Sequence, residues 1–214
     1  MTTKVVFNGT HFQILQEGTQ LVAITKSGQT EYSRLDIKTQ KAVHWYARKI
    51  CDRIYYSFRD TDAPLQICCL GSAMGAIPFE LLLHYPKAQV TCVDIDSESL
   101  FVLENSILKS FGPRVVYDNM DAREFVKELY TNEFDIIIND LFSEQNSPPF
   151  IHTFPFLRDI FRGLKPKGVY FANTITNTFE FTHGIAIEKI GYDVERFAKK
   201  KEGVTNIIYE SVKN

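Results

Sequence analysis

Leu65-Gln-Ile-Cys-Cys-Leu70 runs straight into Gly71-Ser-Ala-Met-Gly75, and the chain turns apolar again from Ile77 to His84. An apolar run of strand length, a turn of small residues and an apolar helix make one strand–turn–helix unit. The unit repeats downstream. Strands are expected at 88–94, 115–117, 134–139 and 169–173, and helices at 97–110, 122–130 and 150–164. Strands that are apolar on both faces and alternate with helices form a parallel sheet covered on both sides. Right-handed crossovers then make it doubly wound, an α/β Rossmann-like sheet.

Outward from that core the pattern changes at both ends. Residues 1–33 hold short β-prone runs at Val5-Val-Phe7, Phe12-Gln-Ile-Leu15 and Leu21-Val-Ala-Ile24, separated by Asn8-Gly9 and Glu17-Gly18. They predict a small antiparallel β extension, too small to be stable alone. The rest, 34–214, is expected to form the Rossmann-like domain, the part of the chain suited to bind a nucleotide. A long helix is expected over 36–59, with Asp36 as N-cap and Val43, Tyr46, Ile50, Ile54 and Phe58 as its apolar stripe. After a short helix at 182–190, the runs 192–198 and 204–212 face each other across Lys199-Lys-Lys-Glu-Gly203. That predicts a C-terminal antiparallel hairpin at the sheet edge.

Composition narrows the function. The 214 residues are 44% hydrophobic and 23% charged, with a formal charge of −2, so no basic face suited to nucleic acid is expected. No apolar run reaches the roughly 18 residues of a membrane span, and the N-terminus lacks the features of a signal peptide. Cys51, Cys68, Cys69 and Cys92 show no metal-ligand spacing and read as buried free thiols of a reduced, cytoplasmic protein. No metal site is expected.

Ligands of an open parallel sheet bind at the carboxyl ends of its strands. Four consecutive strand ends here carry Gly, Asp, Asp, Asp. Gly71, Ser72 and Gly75 form a turn that backbone and ligand can share closely. Asp94, followed by Ile95, lies about twenty residues on, where a carboxylate can accept from a ribose diol. Asp96 is equally suited to cap the next helix. Asp121, before Ala122, suits an adenine amino group or a helix N-cap, with one oxygen left free if it does both. Asp140 opens a long Pro-containing loop, a position that suits chemistry or a cap that only ties the loop.

On these residues the chain resembles the class I S-adenosylmethionine-dependent transferases, and within them the spermidine synthase-like branch. The resemblance rests on Cys69-Leu-Gly-Ser-Ala-Met-Gly75, Val93-Asp-Ile-Asp96, Asp121-Ala122, Phe134-Asp-Ile-Ile-Ile-Asn-Asp140 and Leu164-Lys-Pro-Lys-Gly168. It implies that Gly71 to Gly75 wrap the amino-acid side of S-adenosylmethionine or its decarboxylated form. Asp94, with Ile95 beside it, would hold the ribose, and Asp121 and Ala122 the adenine. Asp140 would orient and deprotonate an attacking amine, and Gln29 would touch the nucleotide. It also implies a small-molecule substrate and a homodimer, for which an exposed aromatic part of the first long helix would serve.

Three departures bear on the reaction. The acidic position of the family's first turn is Met74, a second acidic position after Asp140 is Ser143, and the family's Tyr-His-Glu motif reads Tyr46-Ala-Arg48. A polycation needs several carboxylates along its groove, and Arg48 would oppose it. Read this way, the sequence favours methyl transfer to an unidentified acceptor. The alternatives are aminopropyl transfer from decarboxylated S-adenosylmethionine and nucleotide binding without turnover. His152, after Pro148-Pro149, could face the acceptor or serve only at a helix start.

Overall fold

A computed structural model describes residues 3–28, 30–142, 146–176, 182–201 and 204–213. The central sheet begins with β-strands that alternation along the chain cannot show, because both faces are covered. To keep chain order, the N-terminal strands are β1 (Thr3–Asn8), β2 (Phe12–Glu17), β3 (Gln20–Thr25), β4 (Glu31–Asp36) and β5 (Lys41–Ala42). They form one antiparallel sheet in that order, five strands rather than a single hairpin. The extension therefore crosses the expected boundary at 33/34. Helix α1 starts only at Trp45 and ends at Ser57, not at 36. Asp36 closes β4 and accepts from the Lys38 and Thr39 N–H groups, so it shapes a turn instead of capping a helix.

The second sheet has seven strands. In chain order they are β6 (Gln66–Leu70), β7 (Gln89–Val93), β8 (Val115–Asp118), β9 (Phe134–Asn139), β10 (Leu164–Thr176), β11 (Glu195–Lys201) and β12 (Val204–Val212). Their spatial order is β11-β12-β10-β9-β6-β7-β8, with β12 antiparallel to both neighbours and the other pairings parallel. Helices α2 (Ala76–His84), α3 (Ser97–Val102), α4 (Ala122–Glu128), α5 (Phe154–Gly163) and α6 (Thr182–Lys189) complete the chain.

Adjacent residues of β6 enter opposite cores, as period-two geometry requires. Cys69 packs with Ile50, Ile54, Leu81 and Val90 on the α1–α2–α3 side. Cys68 packs with Phe125, Leu157, Ile160 and Tyr170 on the α4–α5–α6 side. All four cysteines are buried and free. Strand order reverses between β6 and β9, and the crevice at that switch point is where an open α/β sheet binds ligands. No described helix is long and apolar enough to cross a membrane.

The helix expected over 97–110 keeps α geometry only to Val102. A π-helical turn follows at Leu103–Ile107, in which Leu108 N–H reaches Leu103 O, and a 3-10 segment runs over Lys109–Arg114. The five-residue step brings Leu103 and Leu108 onto Gly75, where a Cβ would stand 2.5 Å from Leu103 Cδ2.

Candidate active site

The β6–α2 turn is shaped by main chain. Gly71 has φ 79°, and a Cβ there would lie 2.7 Å from the backbone oxygen of Asp140. Only glycine meets both conditions without strain, so the first turn and the end of β9 are in main-chain contact. Ser72 is buried and its hydroxyl turns back to Cys69 O at 3.3 Å. Gly75 sits in the left-handed region as N-cap of α2 and packs on Leu103, outside the cleft lining. Gly71, Ala73 and Met74 line the cleft instead.

Asp94, at the end of β7, ties this turn. Its Oδ2 accepts from Ser72 N at 2.9 Å and Ala73 N at 3.2 Å, and its Oδ1 from Asp96 N at 3.0 Å. Burial raises its pKa, against the pull of these three bonds. Asp96 caps α3 through Glu98 N–H and lies 3.2 Å from His11 Nδ1. Glu98 in turn accepts from Thr10 N and His11 N. These bonds clasp the β1–β2 turn to the start of α3. Ile95 is 72% exposed and lines the cleft.

Asp121 caps α4 by accepting from Arg123 N at 2.8 Å. Both its carboxylate oxygens also take the Arg123 guanidinium, which holds its pKa below the usual carboxylate value. The second oxygen expected to stay free is therefore engaged. Ala122 is buried beside it and lines the cleft. Gln29 lies outside the described residues, as does Ser143.

Asp140 stands at the mouth of β9. Its Oδ1 accepts from Asn173 Nδ2 at 2.8 Å, and Asn173 Oδ1 accepts from Asn206 Nδ2 at 3.1 Å. Tyr46, from α1, also hydrogen-bonds this carboxyl, and its hydroxyl lies 3.2 Å from Tyr32 O. Burial pushes the Asp140 pKa up to about 7, with the bonds from Asn173 and Tyr46 acting the other way. The tyrosine accommodates both forms. An ionised Asp140 accepts from Tyr46, and a protonated one can donate to Tyr46 Oη while the tyrosine donates to Tyr32 O. Phe142 packs edge-on against Tyr32 at 6.0 Å and closes this side.

Arg48 does not oppose a cation in the cleft. It pairs with Glu80, which is 3% exposed, and with Asp52, and it is absent from the lining. Glu80 also accepts from Tyr55 Oη at 2.7 Å and Ala42 N at 2.8 Å. Helix α1 thus turns Tyr46 toward Asp140 and Arg48 toward α2. His152 also lies outside the cleft lining and packs edge-on against His183.

The cleft measures about 750 Å³. Five carboxylates line it, from Glu31, Asp94, Asp96, Asp121 and Asp140, and no lysine or arginine does among the described residues. Glu31 is gripped by Arg34 at 2.6 and 2.7 Å and lies 2.9 Å from His44 Nε2. Its pKa falls to about 2, because the bonds from Arg34 and His44 outweigh a raising effect of burial. Tyr46, Tyr32, His44, Glu31, Asn173 and Asn206 were not singled out from sequence. Only Tyr46 carried a signal, as the first residue of the family's Tyr-His-Glu position.

The architecture is that of the Rossmann-like class I methyltransferases. A human structure, methyltransferase-like protein 13 in complex with SAH, superposes with a TM-score of 0.68 at 19% identity, covering 80% of this chain and 83% of that one. The chain belongs to the spermine/spermidine synthase family, whose domain model matches residues 57–204. A probable spermidine synthase from Corynebacterium glutamicum superposes with a TM-score of 0.79 at 20% identity, covering 94% of this chain and 76% of that one. Polyamine aminopropyltransferase 1 of Aquifex aeolicus is 30% identical over 115 residues, 52% of this chain. The match spans only 41% of that relative's length.

Proposed function

We propose that this chain transfers an aminopropyl group from decarboxylated S-adenosylmethionine to an amine. The observation that carries the reading is the charge of the cleft, with five carboxylates and no lysine or arginine among its described lining residues. Arg34 and Arg123 already pair Glu31 and Asp121 from outside the lining, so Asp94, Asp96 and Asp140 carry the preference for a cation over an added carboxylate. The amides of Ser72 and Ala73, the natural partners for a donor carboxylate at the first turn, are already taken by Asp94. An intact donor would bring an anion with no partner, whereas a decarboxylated one brings only positive charge. The family relatives named for aminopropyl transfer support the same choice over methyl transfer. Met74 remains the feature favouring the intact donor, since a thioether offers an ammonium no charged acceptor.

The residues divide the work by position. Asp94 would accept from a ribose hydroxyl with its remaining lone pairs, and Ile95 and Ala122 would flank the adenine. Asp121 would reach the adenine amino group only once Arg123 swings aside. Gly71 would let the donor lie against main chain, next to Asp140. Bound there, the sulfonium nucleotide would supply an activated carbon and a neutral thioether leaving group. Asp140, titrating near neutrality, would take the proton from the acceptor's ammonium, and Tyr46 and Asn173 would hold its carboxyl toward the freed amine. The amine's lone pair forms the new C–N bond as the S–C bond breaks, and the sulfur keeps that electron pair.

The test is a donor competition. Purified protein is given putrescine, or a series of other amines, with either donor, and product is read by mass spectrometry. Release of methylthioadenosine with an aminopropylated amine is expected from the decarboxylated donor. Methyl transfer from the intact donor, with no turnover of the other, would replace this reading.

A further inference from the structure

Asn139 and Asp140 are consecutive at the end of β9, so their side chains leave opposite faces of the sheet. Asp140 looks into the cleft. Asn139 is fully buried, and its bond to Tyr170 places it on the side packed by α4, α5 and α6. Its Nδ2 donates to Tyr170 Oη at 2.8 Å, and its Oδ1 accepts from Leu141 N at 3.2 Å. Tyr170 Oη lies 3.3 Å from His183 Nε2, and His183 Nδ1 lies 3.1 Å from His152 Nδ1. One line of polar side chains therefore runs from half-buried His152, at the end of the 3-10 turn Pro149–His152, through α6 and β10 to the peptide that follows Asp140.

Asn139 sets one sense of donation along this line, with the tautomer of His183 assigned to match it. Tyr170 receives from Asn139, so its single hydrogen goes to His183 Nε2. His183 then carries its hydrogen on Nδ1 and presents it toward His152 Nδ1, and the ring also hydrogen-bonds the Ile151 backbone. Burial lowers the pKa of both imidazoles, pushing His183 down to about 3. Buried polar groups cost stability unless each is satisfied, and a fully satisfied network fixes one geometry. Tyr170 and His183 are both 0% exposed. At the far end the chain grips the Leu141 N–H, which lies beyond the last residue of β9. The strand holds Asp140 from in front, through Asp140 N to Leu70 O at 2.9 Å. The polar line holds it from behind.

We propose that Asn139, Tyr170 and His183 are positioning residues, which fix the main chain on the far side of Asp140 and so set where its carboxyl sits in the cleft. The role rests on the reading of Asp140 as the base. None of the three is itself among the residues that line the cleft, and Asn139 reaches the lining only through the Leu141 N–H.

Tyr170→Phe tests it, because the ring and its packing on Phe161 stay while the hydroxyl that links Asn139 to His183 goes. Three quantities are read in the wild type and the variant: amide hydrogen exchange at Leu141, the Asp140 carboxyl titration by carbon NMR, and donor-dependent turnover. Exchange at Leu141 should rise at least tenfold while Ile137, within β9, stays protected. The Asp140 titration should move away from its wild-type midpoint, and kcat should fall about tenfold with donor affinity unchanged. Unaltered Leu141 exchange or an unmoved Asp140 titration would overturn the proposal, as would unaltered kcat in an active protein. Should Tyr170→Phe fold poorly, His152→Gln at the half-buried end should shift the same readouts in the same direction by a smaller amount, and no shift there would count against it. A wild type without turnover would defeat the aminopropyl reading alone, since exchange and titration still decide whether this line holds Asp140.

Discussion

The two halves of the cleft are built by different means. The half over β6, β7 and β8 comes from three strand ends between Gly71 and Ala122, and its key contacts are to main chain: Asp94 to the amides of Ser72 and Ala73, and Asp121 to the amide of Arg123. The half over β9 and β10 is assembled from Glu31, Tyr32, His44 and Tyr46 at one end of the chain and Asn173 and Asn206 toward the other. Apart from the Tyr46 hydroxyl on the Tyr32 backbone oxygen, its contacts are side chain to side chain. A site made of turns is specified locally and is hard to alter piecemeal. A site made of distant side chains can change its ligand one residue at a time.

The comparison can be broken most severely at Asp140. Asp140→Asn should cut turnover by about a thousandfold while donor affinity, read by calorimetry, stays unchanged, because the two halves are separate. Loss of donor binding in that variant would merge them. The same variant sharpens the pH argument. Asp140 has its folded pKa raised to about 7 by burial, from an ordinary 3.8. A raised carboxyl favours folding below the unfolded value, and that contribution is lost as pH rises through about 7. The Tm advantage of Asp140→Asn over wild type should therefore grow between pH 5 and pH 8, and kcat of the wild type should climb across the same window. Equal Tm curves would place Asp140 in a solvated setting.

Next comes Asp94→Ala, which removes the acceptor for two turn amides and the proposed acceptor for a ribose hydroxyl. Donor affinity should weaken by about 1.5 to 3 kcal/mol, with the acceptor's KM moved much less. Gly71→Ala should lower stability by about 2 kcal/mol through its positive φ and the nearby Asp140 oxygen, measured by urea unfolding. The smallest effect on activity is expected for Arg48→Ala. It should cost about 3 kcal/mol of stability by leaving Glu80 buried without its cation, yet leave the acceptor's KM within about twofold. A large change in KM would return Arg48 to the cleft.

The difference between the halves also explains what the sequence could reveal. Leu65 to Leu70, Ala88 to Asp94 and Phe134 to Asn139 announce a parallel sheet because each is apolar on both faces. The Gly, Asp, Asp, Asp succession is legible because a strand end fixes where the next residue stands. Arg48 could not be placed, since a helical residue's direction depends on which face its neighbours bury, and Glu80 lies 32 residues away. Asp36 misled for a related reason. A carboxylate before an apolar stripe suits a helix cap and a β-turn equally well, and pairing of β4 with β3 and β5 decided it. The Asn139–Tyr170–His183 line left no trace at all, because its members share no spacing.

The glycine at the end of β6 has one more consequence. Since Gly71 meets the carbonyl of Asp140 without any side chain between them, the stride from the proposed donor turn to the proposed base is set by two peptide units. Side chains can be exchanged across the whole acceptor wall and that stride will not lengthen. Any acceptor this scaffold takes must bring its nucleophile to the same point, and only the remainder of the molecule is free to vary.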